Sequence, residues 1–329
     1  MKKHTYVAKH KKTTAFKRLK QKIAVRINVT SNYKEKIWII GDGRSGTTWL
    51  SSLLNSHKYY RELFEPFHPA NVYQAKDFDI NMYMRPAKEN LALYKFVEMV
   101  FNGKLSSDWI DKDNSSLFFK GILVKDVFAS LFAKWALMQQ TDIKILLLIR
   151  NPLAVASSKL NTRHWFWQND PLEFLNNRDL VKDHLQPYKN VIQSFSKKND
   201  FVVNQVLIWS VLHKVMIRQF TIDEVLPVFY ENIYTEPNNE IKQIHDLLGL
   251  KYQSVLPKDV ITRESRVSSK HSSIVNNKSP LNSWREYISE EQLKLSNEIL
   301  YAFGLHELYP DNDMPNTEHL VNLMSSNTF

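Results

Sequence analysis

The residues best suited to chemistry lie in a glycine-rich turn that follows an apolar run. The run Lys36–Ile40 has the composition of a buried strand. The turn, called the glycine loop below, spans residues 41–49 and reads Gly-Asp-Gly-Arg-Ser-Gly-Thr-Thr-Trp. Backbone N–H groups of residues 45 to 48 would open a helix, whose positive end attracts an anion, and Arg44 adds a cation. The stretch therefore predicts a phosphate-binding loop between a strand and a helix.

The spacing within the glycine loop indicates which phosphate it fits. From Gly41 to Gly46 the spacing is that of the nucleotide loop Gly-x4-Gly-Lys-[Ser/Thr]. Thr47, however, stands where that loop has the lysine that reaches the β- and γ-phosphates. A nucleoside triphosphate is therefore a poor ligand, which speaks against a P-loop kinase. The loop suits a smaller phosphorylated group.

A second basic site is predicted about a hundred residues further along the chain. The apolar run Ile143–Ile149 has the length of a buried strand. Arg150 follows it, and Pro152 then suits the first turn of a helix because proline cannot continue a strand ladder. Ser158 would lie two turns along that helix. Arg150 would thus lie at the carboxyl end of a strand, the edge at which open α/β sheets bind ligands.

Both motifs resemble those of sulfotransferases that use 3′-phosphoadenosine 5′-phosphosulfate (PAPS). In that family the 5′-phosphosulfate loop reads [Arg/Lys]-Ser-Gly-[Thr/Ser]-[Thr/Ser], and an arginine and a serine eight positions apart hold the 3′-phosphate. The resemblance implies two sets of PAPS-binding residues, with Arg44, Ser45, Gly46, Thr47, Thr48 and Trp49 at the 5′-phosphosulfate and Arg150 and Ser158 at the 3′-phosphate. Lys278 falls on a lysine that clasps the 3′-phosphate in the cytosolic branch, although its neighbours depart from that pattern.

Transfer of a sulfuryl group to a hydroxyl needs a base for the hydroxyl proton and donors for the charge on the departing phosphate. The cytosolic branch uses the histidine of a Lys-Thr-His segment, and here Lys125 is followed by aspartate and valine. Carbohydrate sulfotransferases carry a glutamate in a Phe-Glu-Pro turn, and Glu65 lies in such a turn. The resemblance implies Glu65 as the base and Lys125 as a contact for the sulfuryl oxygens. His68 is the alternative base, because histidine titrates near neutral pH.

Alternating strand and helix patterns predict an α/β fold with a parallel sheet and right-handed crossovers. Strands are predicted near Lys36–Ile40, Tyr59–Phe64, Ile122–Lys125, Ile143–Ile149 and Pro227–Tyr230, and helices at Ile241–Leu250 and from about Ser289. The block from about Leu172 to Phe220 is predicted to be a helical insertion beside the sheet. The resemblance covers about residues 36–308 and implies a single sulfotransferase domain over that range. The fold of this domain would be a P-loop-like parallel sheet flanked by helices. Residues 309–329 would form a C-terminal tail.

The formal net charge of +10 is unevenly distributed. Residues 1–36 hold 12 Lys/Arg and one acid, whereas the remainder holds 32 basic and 33 acidic residues. Residues 1–35 are therefore predicted to form a basic extension, whose apolar residues recur at helical spacing at Phe16, Leu19, Ile23 and Ile27. Residues 1–36 could contact an anionic membrane, or form a helix packed on the core or a disordered tail. Nucleic acid is not expected, because the near-neutral body offers no basic stripe.

The absence of cysteine excludes disulfides and thiolate metal sites. No continuous apolar run reaches the roughly 18 residues of a membrane span, and the basic N-terminus lacks the apolar centre of a signal peptide. Because the Golgi members of the carbohydrate branch are membrane-anchored, the resemblance implies a cytoplasmic bacterial enzyme instead, with any membrane contact at the inner face.

The expected function is in-line, metal-independent transfer of a sulfuryl group from PAPS to a hydroxyl of a carbohydrate, as in a polysaccharide or glycoconjugate. The alternatives are a lipid or small-alcohol acceptor, a P-loop kinase, and a nucleotide-binding protein without turnover. The eleven histidines show no zinc-ligand spacing, so no metal site is expected.

Overall fold

The computed structural model describes residues 23–24, 26–114, 116–160, 162, 168–250, 255–262, 279–310 and 313–325. Lys278 and most of the basic extension lie outside these ranges. Their predicted roles in 3′-phosphate binding and membrane contact therefore stay predictions.

Parallel strands form one sheet at the centre of the fold. They are β1 (Glu35–Gly41), β2 (Tyr60–Phe64), β3 (Gly121–Lys125), β4 (Ile143–Ile149) and β5 (Val225–Phe229). Their order is β2-β3-β1-β4-β5, and every neighbouring pair is parallel. The predicted parallel sheet is confirmed, with strand ends that shift by at most two residues. From β1 the chain turns towards β2 and β3, and from β4 it turns towards β5, so a switch point lies between β1 and β4.

Helices cover both faces of the sheet. They are α1 (Thr47–Leu54), α2 (Leu91–Phe101), α3 (Ala133–Gln139), α4 (Pro152–Leu160), α5 (Lys189–Ser196), α6 (Phe201–Gln219), α7 (Tyr230–Thr235), α8 (Pro237–Leu247), α9 (Lys258–Thr262), α10 (Glu290–Ala302) and α11 (Thr317–Ser325). Short helical turns precede α5 at Pro171–Asn176, Arg178–Leu180, Val181–Leu185 and Gln186–Tyr188. The predicted helix from about Ser289 is confirmed by a capping box, in which Ser289 and Gln292 satisfy each other's backbone N–H groups.

The strands are apolar on both faces because both faces are buried. Trp38 and Ile40 of β1 belong to a large hydrophobic cluster with α2 and α6. Ile37 and Ile39 belong to a second cluster that includes α1 and α8. This arrangement explains why the strand sequences are continuous apolar runs without alternation.

Helix α6 is the main element of the predicted helical insertion. It packs against α4 and α10, and by length and hydropathy it is the one helix in the described ranges that could cross a membrane. Because 78% of its most apolar stretch is buried inside the protein, this is weak evidence for a membrane span. The sequence pattern did not single the helix out as a possible span, since Asn204, Gln205, Ser210 and Lys214 interrupt its apolar residues.

Two boundary predictions are wrong. The last strand was predicted to include Tyr230, but β5 ends at Phe229 and Tyr230 begins α7. Helix α8 also begins earlier than predicted, because Pro237 suits the first helical turn.

We expect buried histidines to make the fold sensitive to acid. Burial lowers the pKa of His68, His184 and His213 to about 4 in each case, whereas an unfolded histidine titrates near 6.5. Between these values the unfolded chain binds more protons at these histidines, so their contribution to the free energy of unfolding should fall as the pH falls from about 6.5 to about 4. Asp126, whose pKa burial raises to about 7, contributes in the opposite direction. Each histidine can contribute about 3 kcal/mol at most to this loss.

Urea unfolding at a series of pH values measures this effect, and His213→Gln provides the comparison. His213 is buried in α6 and contacts the Trp209 carbonyl oxygen through Nδ1 at 2.8 Å. Glutamine does not titrate in this range, so the variant should lose less stability on acidification. An equal loss in both proteins would contradict the assignment to His213.

Candidate functional site

The glycine loop leaves the carboxyl end of β1 with an unusual backbone conformation. Gly46 has a φ of 95°, and a Cβ at this position would lie 2.5 Å from the Tyr230 ring. Arg44 also has a positive φ, of 71°. Gly46 is the N-cap of α1 and offers no side chain to the first N–H groups of the helix. Those groups lack intrahelical acceptors, so this end of α1 is suited to an anion.

Arg44 and Arg150 bring two guanidinium groups to the switch point between β1 and β4. Arg44 Nε donates to Ser158 Oγ at 2.9 Å. Arg150 Nη1 donates to the Arg44 carbonyl oxygen at 3.0 Å, and Nη2 donates to that of Pro280 at 3.1 Å. Burial, together with the charge of Arg150, lowers the pKa of the Arg44 guanidinium to about 10. The Arg44 guanidinium is therefore charged at neutral pH, and an anion would relieve its repulsion with Arg150.

Several aromatic and polar groups hold Arg150 in place. Its Cζ lies 4.2 Å from the centroid of the Tyr230 ring, and Trp209 Nε1 donates to the Arg150 carbonyl oxygen at 3.0 Å. Glu231 Oε1 accepts the N–H of Asn151, the residue after Arg150, at 2.9 Å. Sequence reasoning missed Tyr230, Trp209 and Glu231 as supports of the site. The role of Trp209 could not be recognised in the sequence, because this residue lies within an apolar helix and has the pattern of a core residue.

Two buried polar atoms at this edge have no hydrogen-bond partner, namely Ser45 Oγ and Arg150 Nε. Polar atoms buried in this way are usually satisfied, so a bound group could supply partners for these two. Together with the open end of α1 and the two guanidinium groups, they fit a nucleotide that carries two separate phosphate groups.

The side chain of Trp49, the last residue of the glycine loop, packs against α7 and α9. Its ring lies 5.3 Å from that of Tyr230, centroid to centroid, and its Nε1 donates to the Ile261 carbonyl oxygen at 3.3 Å. Trp49 therefore supports the loop against α7 and α9.

A second polar group lies further along the same edge, at the ends of β2 and β3. Lys125 Nζ lies 2.5 Å from Glu65 Oε1, and the two side chains are 4% and 12% exposed. Glu65 has a φ of 44°, and its N–H donates to the Lys125 carbonyl oxygen at 2.7 Å. Because β3 is the neighbour of β1, this pair lies one strand away from the glycine loop.

Asp126 fixes the turn that carries Glu65. Its Oδ2 accepts the N–H of Phe67 at 2.9 Å, and its Oδ1 accepts that of Phe128 at 2.7 Å. Burial raises the pKa of Asp126 to about 7. In the sequence this residue replaces the threonine of the family motif, and its position after Lys125 had suggested an ion pair with that lysine, which instead pairs with Glu65.

His68 lies in the same turn but is enclosed by aromatic rings. Its ring centroid lies 4.6 Å from that of Phe128, and Nδ1 accepts the N–H of Ala70 at 3.2 Å. Because burial lowers the pKa of His68 to about 4, the imidazole is neutral at pH 7, and the side chain is almost fully buried at 5% exposure. These contacts favour Glu65 over His68 as the candidate base.

The structure thus brings the predicted residues together in two groups along one sheet edge. The glycine loop, Arg150 and Ser158 meet at the switch point, and Glu65 and Lys125 meet beside it. Lys278 lies outside the described residues. Within the described ranges, no group of three or more His, Asp or Glu side chains could hold a metal ion.

A parallel sheet with a glycine loop that lacks the P-loop lysine, and a second arginine at the switch point, is compatible with a nucleotide-dependent transferase. The sequence matches the family described as "Sulfotransferase domain" over residues 34–301, so the chain belongs to the sulfotransferase family. It is accordingly an enzyme with PAPS as its sulfuryl donor. No curated protein matches the chain at a significant level.

Solved structures similar to this chain include three sulfotransferase-related proteins. The sulfotransferase domain of the Synechococcus PCC 7002 olefin synthase is 16% identical, with 82% of this chain and 96% of that chain covered and a TM-score of 0.40. Mouse sulfotransferase SULT7A1 complexed with PAP is 14% identical, with 93% of each chain covered and a TM-score of 0.41. Retinol dehydratase in a complex with retinol and PAP is 16% identical, with 91% of this chain and 88% of that chain covered and a TM-score of 0.38. These likenesses are too distant to support an argument about the site.

Proposed function

We propose that this sulfotransferase transfers the sulfuryl group of PAPS to a hydroxyl of a carbohydrate acceptor, with Glu65 as the general base. The observation that carries this proposal is the position of Glu65. It is held at a φ of 44° in a Phe-Glu-Pro turn, paired with Lys125, one strand from the glycine loop. A strained non-glycine residue at a ligand-binding edge points to a functional constraint.

The residues at the switch point would bind the two phosphate groups of the donor. Arg150 and Ser158 would hold the 3′-phosphate, and the N–H groups that open α1 would hold the 5′-phosphosulfate with Arg44. PAPS supplies the activated sulfuryl group when it is bound. Arg44 and the α1 N–H groups would stabilise the charge that develops on the departing phosphate oxygen.

Glu65 would accept the proton of the attacking hydroxyl. Its Oε1 accepts from Lys125, so Oε2 is the oxygen available to the acceptor. Lys125 keeps the carboxylate oriented, and it ends β3, the strand between β2 and β1. A cation at this place suits the sulfuryl oxygens, as it does in phosphoryl transfer.

The carbohydrate acceptor is supported by the type of base. The chain has an enclosed glutamate in the turn that resembles that of carbohydrate sulfotransferases, and it lacks the Lys-Thr-His segment of the cytosolic branch. Sugars present many hydroxyls of similar reactivity, so a fixed base would select one of them by position.

A screen with sulfur-labelled PAPS tests the acceptor class. We expect label to enter polysaccharides or oligosaccharides more readily than fatty alcohols, sterols or small phenols. Glu65→Gln, assayed beside the parent, shows whether the labelled product depends on the proposed base. Labelling of lipids or small alcohols alone would replace the carbohydrate proposal with the lipid alternative.

A further inference from the structure

A buried ion pair joins the glycine loop to helix α4. Lys159 Nζ lies 2.7 Å from both carboxylate oxygens of Asp42, and the side chains are 2% and 6% exposed. Asp42 lies two residues before Arg44 in the glycine loop, and Lys159 directly follows Ser158. Each partner therefore lies within two residues of a residue assigned to a different phosphate site.

The pair also shapes the loop itself. The carbonyl oxygen of Asp42 accepts the N–H of Ser45 at 3.2 Å, which closes the turn that leads into Gly46. The side chain of the same residue is tied to α4 through Lys159. The position of the glycine loop is thus linked to the position of Ser158, where Arg44 Nε donates at 2.9 Å.

Stability alone is a weak reason for this pair. Removing two charges from water costs several kcal/mol per ion, and well-packed apolar residues often stabilise a core as well or better. A buried ion pair is, however, directional, because both oxygens and the ammonium must meet at short distance. Such a pair is suited to fixing the distance between two elements.

We propose that Asp42 and Lys159 form a positioning pair that sets the spacing between the 5′- and 3′-phosphate sites and so makes the enzyme select nucleotides with both phosphates. This inference rests on the assignment of the two phosphate sites in the proposed function. With the spacing fixed in advance, both phosphates of PAP bind without further ordering of the loop, which strengthens binding. Without the pair, the loop and α4 can separate, and the second phosphate of a nucleotide then contributes less to the free energy of binding.

Calorimetry with two nucleotides tests the pair. PAP carries both phosphates and 5′-AMP lacks the 3′-phosphate, so the ratio of their dissociation constants measures the contribution of the second site. In Asp42→Asn, Lys159→Met and the double variant we expect this ratio to fall about tenfold or more, the size of one charge-assisted contact. The double variant leaves neither charge of the pair buried without its partner. It can therefore be measured even if the single variants do not fold.

Lys134→Met is the matched control. Lys134 forms an ion pair with Glu224 that does not join the two phosphate sites, so this variant should keep the parent ratio. A folded double variant that also keeps the parent ratio would overturn the proposal, because the pair would then serve only the stability of the core.

A measurement on the parent protein provides a second test that no folding defect can affect. Adenosine 2′,5′-bisphosphate carries the same charge as PAP but places its second phosphate differently. A fixed spacing predicts that it binds about tenfold or more weakly than PAP, and equal affinity would contradict the proposal. Both of these experiments measure nucleotide binding alone. An acceptor screen that contradicts the carbohydrate proposal would therefore leave their results unchanged.

Discussion

Replacement of Glu65 with glutamine is expected to lower kcat by about a hundredfold or more. Glutamine keeps the size of the side chain but cannot accept the proton of the acceptor hydroxyl. PAP affinity should change little, because β3 and β1 separate Glu65 from Arg150 in the sheet. Initial rates with labelled PAPS and calorimetry with PAP measure the two effects separately.

Glu224→Gln is the control for this experiment. Glu224 pairs with Lys134, as Glu65 pairs with Lys125, but it lies before β5 at the amino-terminal edge of the sheet. This control should turn over at the parent rate. Full turnover by Glu65→Gln would exclude Glu65 as the base, and His68 would then be the next residue to replace.

Replacement of Arg150 with alanine is expected to weaken PAP binding by about ten- to a hundredfold, because a charge-assisted contact is worth roughly 1.5 to 3 kcal/mol. The loss has two sources. The variant removes a cation from the 3′-phosphate site, and it removes the donor that fixes the carbonyl oxygen of Arg44. Calorimetry with PAP measures the change.

The matched control is Arg178→Ala, which removes an exposed arginine in the helical block before α5. It changes the net charge by the same amount, so it corrects for long-range electrostatics. Unchanged PAP affinity in Arg150→Ala, with the protein folded, would show that the 3′-phosphate is bound elsewhere.

The sheet could be predicted from the sequence because its strands are buried on both faces. Ile143–Ile149 is an apolar run bounded by polar residues, and it forms β4 over the same seven residues. The end of β5 could not be placed in this way. Tyr230 has the composition of a strand residue, but it begins α7, where its ring packs against Trp49 and Arg150.

The residue types of the site could also be predicted, whereas its contacts could not. The glycine loop and Arg150 were found from local spacing and from the resemblance to a family. The hydrogen bond from Arg44 to Ser158 and the ion pair between Asp42 and Lys159 join residues more than a hundred positions apart. Such contacts depend on strand order and register, which local patterns do not determine.

The proposed function requires one pocket that binds a nucleotide through phosphates at both the 5′ and 3′ positions of its ribose. Calorimetry of the purified protein with PAP, and separately with ATP and magnesium, tests this requirement. We predict saturable binding of PAP and no comparable binding of ATP. Tight binding of ATP by a protein that does not bind PAP would contradict it.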